Sequence, residues 1–241
     1  MTADREPLLV IDGLVAGYGR LPVLQDLSLT VAEGSLTTVI GPNGAGKTTL
    51  VNAIVNIVDV MGGSITYEGR PITNRPPHKI AAEGIGFVPQ TGNVFPTLTV
   101  QENLVMGTRF VADADKPAAI EGAYERFPRL RERKKQRART LSGGERQMLA
   151  ISSALLPNPR LLILDEPATG LSPQLTEEVV TGVKAINERG TTVLWVVEEN
   201  PLQVLGVADW VYVIESGRVK NSTSAKELMN APDFRQIFLG V

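Results

Sequence analysis

The 241-residue chain contains no cysteine, which excludes disulfide staples, thiolate metal sites and thiol catalysis and is compatible with a reducing compartment. Its single histidine, His78, sits in Arg75-Pro76-Pro77-His78-Lys79 and reads as a solvated loop residue, not a catalyst. Long apolar runs are absent as well: the longest, such as 193–197, are strand-sized, far short of the roughly eighteen residues of a membrane span. Residues 1–7 carry three charges and no apolar stretch, so they do not read as a secretory signal and the chain is expected to stay on the cytoplasmic side. Lys and Arg number 24 against 26 Asp and Glu, a formal charge of -2, so no strong field advertises a polyanionic partner. Internal repeats and low-complexity segments are also missing. The length allows one substantial domain with a full core, or two small ones.

From residue 8 to 69, short strand-like runs at 8–11, 27–31 and 64–67 are punctuated by glycines, suggesting an antiparallel layer wrapped around a core. Residues 36–40 read as a buried strand that runs into a glycine-rich turn and a helix from Gly46 to about Ile57. Prolines and a dense charged tract between about Thr91 and Thr140 indicate an inserted helical region. Residues 161–164 and 191–197 are continuous apolar runs, expected of parallel strands covered on both faces. Between them Leu175, Val179, Val183 and Ile186 recur at helical spacing and make one crossover. A hairpin is predicted at 211–215 and 218–220, turning at Ser216-Gly217.

Three motifs carry chemistry. Gly41-Pro42-Asn43-Gly44-Ala45-Gly46-Lys47-Thr48 satisfies the phosphate-loop pattern, followed by Thr49. Glycines let backbone N–H groups crowd around phosphate oxygens, Lys47 reaches the β- and γ-phosphates, and Thr48 offers its hydroxyl to Mg²⁺. The run 161–164 ends in Asp165-Glu166, two carboxylates at a strand exit where ionised groups are costly unless a cation engages them. Asp165 would serve the metal and Glu166 would act as general base on the attacking water. Leu141-Ser142-Gly143-Gly144-Glu145 opens an amphipathic helix as a second anion-binding end, and Ser142 with Glu145 also fits a capping box.

With these motifs together, the sequence resembles the ABC ATPase family from about Leu8 to Leu239. The resemblance implies an α/β P-loop NTPase fold with a RecA-like core, an N-terminal antiparallel β layer and an inserted α-helical subdomain. Residues 1–241 would form a single nucleotide-binding domain, with 1–90 and 158–241 as β layer plus core and 91–157 as the helical subdomain. It further implies that Ser142, Gly143 and Gly144 of one subunit face the γ-phosphate held by another, sandwiching ATP and Mg²⁺ between paired domains. Gln90 matches the family's Mg²⁺-contacting glutamine, and Tyr18 sits where the family stacks a ring on adenine, a contact suited to a flat base.

Two positions depart from the commonest family pattern. The usual histidine after the strand 191–197 is replaced, with Glu199 at the switch position, or Glu198 if the register slips by one. An ionised glutamate only accepts hydrogen bonds, so hydrolysis is expected to persist through Glu166 but to be slower or more tightly gated. Ser172 stands where many relatives have aspartate. The lack of that histidine and that aspartate is similar to the Liv-type subgroup that energises branched-chain amino acid, amide or urea importers, although the usual switch residue there is glutamine and Glu199 differs from it. That resemblance implies two membrane-spanning permease subunits, a second ATPase subunit, an extracytoplasmic solute-binding protein, and a peripheral place on the cytoplasmic face of the membrane. The rival class is a non-transport ABC ATPase acting on nucleic acid or ribosomes, for which the tract 129–139, with seven basic residues and one acid, is the candidate surface. A solvated face is the simpler reading of that tract, and no nucleic acid is expected.

Overall fold

A computed structural model describes residues 5–198 and 201–231. The chain begins with β1 (Pro7–Tyr18) and β2 (Leu21–Ala32), followed by β3 (Leu36–Ile40), α1 (Lys47–Ile54), β4 (Asp59–Tyr67) and β5 (Arg70–Pro71). Next come α2 (Pro77–Ala82), β6 (Ile85–Val88), α3 (Val100–Gly107), α4 (Lys116–Arg126), α5 (Pro128–Glu132) and α6 (Gly143–Leu155). The remainder is β7 (Leu161–Asp165), α7 (Pro173–Glu188), β8 (Thr192–Val197), α8 (Leu202–Leu205), β9 (Trp210–Glu215), β10 (Arg218–Ser224) and α9 (Ala225–Asn230). These strands make two sheets, one in the order β2-β1-β4-β5 with antiparallel pairing and one in the order β10-β9-β3-β8-β7-β6. In the second sheet every neighbouring pair is parallel except the β9–β10 edge.

The central strands are rich in apolar residues because both of their faces are covered, and Thr37 and Thr38 of β3 are buried with them. Side chains alternate across a strand. Leu36, Ile40, Leu162, Leu164, Val193, Trp195 and Val197 therefore enter the core shared with α3–α7. Their neighbours Val39, Leu161, Ile163, Leu194 and Val196 enter the core shared with α1, β1, β2 and β4. Trp195 is the largest fully buried side chain, 1% exposed. Truncating it should cost about 3–5 kcal/mol through lost burial and the cavity left behind. Trp195→Ala is accordingly expected to lower the urea midpoint sharply without a matching change in m-value, which equilibrium unfolding by fluorescence-independent circular dichroism would measure.

Several elements run to other limits than the sequence expectation. Strands β1 and β4 run far beyond 8–11 and 64–67, because the glycines that look like strand ends are bulges within them. Gly63 has φ +78, and a Cβ there would lie 2.4 Å from the Gly13 carbonyl oxygen, a close approach that a bulge in a paired strand requires. Helix α1 stops at Ile54 instead of about Ile57. Asn56 takes a left-handed φ of 56, and the Ile57 N–H turns back to the Asn52 carbonyl at 2.8 Å, a helix ending that asparagine tolerates well. The hairpin turns at Ser216-Gly217 as predicted, both at positive φ, but β10 continues to Ser224.

Between β6 and β7 the described chain is helical, with α6 packed against α3 and α7. Thr99 and Glu102 form a capping box on α3. Ser142 and Glu145 form another on α6: the Ser142 N–H donates to Glu145 Oε2 at 2.9 Å and the Glu145 N–H donates to Ser142 Oγ at 3.3 Å. These boxes satisfy helix-end donors and fix where each helix begins. In the basic tract, Arg129, Arg131 and Arg133, three of its seven basic residues, pair with Glu178, Glu121 and Glu145.

Candidate active site

The loop between β3 and α1 presents Gly41, Pro42, Asn43, Gly44, Ala45 and Gly46, then Lys47, Thr48 and Thr49 in the first turn of α1. This places unpaired backbone N–H groups and the positive end of a helix at one spot. Lys47 is 4% exposed. Its Nζ donates to the Gly41 carbonyl at 2.8 Å and the Pro42 carbonyl at 3.1 Å, so the ammonium braces the loop from inside. The loop is anchored from the far end of the chain. Gly217, at φ +74, donates its N–H to Ala45 O at 2.9 Å and accepts from the Gln25 N–H at 3.0 Å, and a Cβ there would lie 2.0 Å from Val23 O. Only glycine fits so close an approach at that φ.

Asp165 and Glu166 emerge from β7 beside this loop, 2% and 7% exposed. The Thr48 hydroxyl donates to Asp165 Oδ1 at 3.3 Å. Gln90, two residues beyond β6, donates its Nε2 to Glu166 Oε2 at 2.6 Å, and the Thr169 hydroxyl donates to the same oxygen at 3.4 Å. Glu166 has a left-handed φ of 50, a conformation costing a non-glycine residue about 1–2 kcal/mol. Its N–H, donating to Val196 O at 3.0 Å, helps hold that geometry. Asn43, Lys47, Thr48, Gln90, Glu166 and Glu198 line one cleft of about 380 Å³.

Burial dominates the electrostatics here. It pushes the Asp165 carboxyl up to about 6, with the Thr48 hydroxyl and the Lys47 ammonium pulling the other way. Burial, then the hydrogen bond and charge of Glu198, push Glu166 up to about 8. Glu198 is held below the usual carboxylate range, first by its hydrogen bond with Glu166 and also by Asn43 and Lys47. Carboxylates crowded against burial are what a hard divalent cation relieves. The donor set fits one: the Thr48 hydroxyl, Asp165, and the Gln90 amide oxygen left free while its nitrogen donates to Glu166.

Glu198 lies in this cleft, whereas Glu199 falls outside the described residues. The sequence offered Glu198 as the register alternative, and Val23, which also lines the cleft, went unmarked because nothing in a lone valine signals it. Tyr18 stands at the end of β1, 55% exposed. The segment Leu141-Ser142-Gly143-Gly144-Glu145 is not among the cleft-lining residues of its own chain. Leu141 and Gly144 are buried, and Ser142 is exposed at the start of α6.

A parallel sheet whose first strand ends in this loop, with two buried carboxylates at the exit of β7, on the far side of β8 from that strand, defines a P-loop nucleotide-binding protein. The ABC transporter family matches residues 24–169, and the chain belongs to that family. It is 40% identical over 233 residues to the high-affinity branched-chain amino acid transport ATP-binding protein BraG of Pseudomonas aeruginosa, across 97% of this chain and 100% of that one. It is 38% identical to the probable branched-chain amino acid transport ATP-binding protein LivF of Archaeoglobus fulgidus, across 95% and 97%. A lipopolysaccharide export system ATP-binding protein, LptB of Acidithiobacillus ferridurans, is 32% identical across 97% of each. Among solved structures, a nucleotide-free ATP-binding cassette from an ABC transporter superposes with a TM-score of 0.83 at 26% identity, covering 96% of this chain and 98% of that one. Within this family the chain is an ATP-binding protein and an ATPase.

Proposed function

We propose that the chain is one nucleotide-binding domain that hydrolyses Mg-ATP to energise an importer of branched-chain amino acids. The observation that carries the chemistry is the convergence of Lys47, Thr48, Gln90 and Glu166 on one cleft, with Asp165 behind it accepting from the Thr48 hydroxyl. Lys47 and the loop N–H groups bind the phosphates, and Glu166 takes the proton of the attacking water. Thr48, Asp165 and Gln90 would hold Mg²⁺, which supplies charge neutralisation at the phosphates. Tyr18 supplies an exposed ring for the base. Ser142, Gly143 and Gly144, lying outside their own chain's cleft, serve a nucleotide held by a second ATPase subunit. Glu199, or Glu198 in its stead, tunes turnover from the end of β8.

The solute assignment rests on the full-length similarity to BraG and LivF. The partners are then two permease subunits, a sibling ATPase and an extracytoplasmic binding protein, with this chain peripheral on the cytoplasmic face. Among the described residues no helix is long and apolar enough to cross a membrane. Phe95, Val105, Met106 and Phe110, all at least 42% exposed, give the permeases an apolar surface near Gln90. The LptB likeness favours an alternative, another polar-solute or export complex with the same motor.

The test is reconstitution with co-purified permeases and binding protein. Leucine, isoleucine or valine is expected to raise phosphate release, with urea inert. Stimulation by none of the three would overturn the solute assignment, and unstimulated turnover that persists would leave the ATPase intact.

A further inference from the structure

Three residues beyond Gln90, Asn93 donates its Nδ2 to Gln147 Oε1 at 3.1 Å and to Pro89 O at 3.4 Å. The 90–95 segment is thereby tied at three points. Gln90 bonds Glu166 at 2.6 Å, Asn93 bonds α6, and the Phe95 N–H bonds Asn103 Oδ1 of α3 at 2.8 Å. Three residues reach at most about 10 Å even when extended, and this stretch is bent, with Gly92 at φ +66, so Gln90 and Asn93 stay within that reach of each other. Gln147 in turn lies five residues after Ser142 on one helix, a rigid rise of about 7.5 Å.

Gln147 is 8% exposed, and its Nε2 is buried without a hydrogen-bond partner among the described residues. A buried unpaired donor is a cost that a methionine of equal length would not carry. Stability alone therefore does not account for glutamine there. Its acceptor oxygen accounts for it, as the one side-chain hydrogen bond between the Gln90 segment and α6 among the described residues.

We propose that Asn93 and Gln147 form a positioning strut that fixes the start of α6, with Ser142–Gly144, in register with Gln90 and Glu166. The hydrolytic cleft of one subunit is thus mechanically joined to the surface it offers to the other subunit's triphosphate. This inference rests on the sandwich reading given above, and the two fail differently. If the sandwich is wrong, Glu166→Gln traps no ATP-bound dimer in any background. If only the strut is wrong, that trapping survives and the cycle below fails.

The test compares Asn93→Leu, Gln147→Met, the double variant and Gln147→Glu in the assembled transporter, reading kcat, KM and Hill coefficient for ATP alongside Tm. Gln147→Glu retains an acceptor for Asn93. Each single loss is expected to lower kcat about tenfold and to bring the Hill coefficient from about 2 toward 1, with KM little changed. The double variant should be no worse than the worse single, the mark of one shared interaction, and Gln147→Glu should recover most of the rate. Tm for Gln147→Met should stay at or above the parent's. Parental kcat and Hill coefficient in Gln147→Met, multiplying losses in the double, or a Tm that falls in step with kcat would each overturn the strut.

Discussion

Glu166→Gln is expected to lower ATP turnover by about two to three orders of magnitude, the usual scale for removing a general base, while ATP still binds. Glutamine keeps the shape and a carbonyl oxygen able to accept from Gln90 and Thr169, which reach Glu166 Oε2 at 2.6 and 3.4 Å. It cannot take a proton from water. Binding should not suffer, because the change removes one carboxyl from a crowd of three, Asp165, Glu166 and Glu198, beside the incoming triphosphate. Each γ-phosphate contact across the subunit pair then persists unhydrolysed, so the joined state should accumulate. Phosphate release, equilibrium binding and size-exclusion chromatography with ATP measure the three parts. Turnover at the parental rate would remove Glu166 as the base.

Lys47→Ala should instead strike at binding, weakening ATP by about a hundredfold, the loss expected when a charge-assisted contact of roughly 2–3 kcal/mol is deleted. The Lys47 ammonium is buried and already directed by the Gly41 and Pro42 carbonyls, so little ordering remains to be done when phosphates replace those partners. Removing it also takes away the cation that lowers the proton affinity of Asp165, Glu166 and Glu198. The cleft becomes more repulsive to a triphosphate. Calorimetric titration separates the two variants: Glu166→Gln should bind as the parent does, and Lys47→Ala should not.

The sequence made legible what depends on local pattern. Residues 161–164 lie in a strand buried on both faces, and a continuous apolar run says so, while 36–40 is equally buried although Thr37 and Thr38 interrupt its apolar pattern. The Ser142–Glu145 box follows from spacing alone. What stayed hidden depends on contacts distant in the chain. Whether Gly13 and Gly63 end strands or bulge them is decided by their approach to each other across β1 and β4. The Gly217 link to Ala45 and the Asn93 bond to Gln147 join residues far apart in sequence, and no periodicity marks them. At the end of β8 two adjacent glutamates, Glu198 and Glu199, left the register open, and the cleft contains Glu198.

The most direct test of the account is a structure of Glu166→Gln with ATP and Mg²⁺. Ser142 is expected within hydrogen-bonding distance of a γ-phosphate bound by the phosphate loop of the other subunit, with Gly143 and Gly144 beside it. Ser142 remote from every nucleotide, with ATP bound by one chain alone, would contradict it.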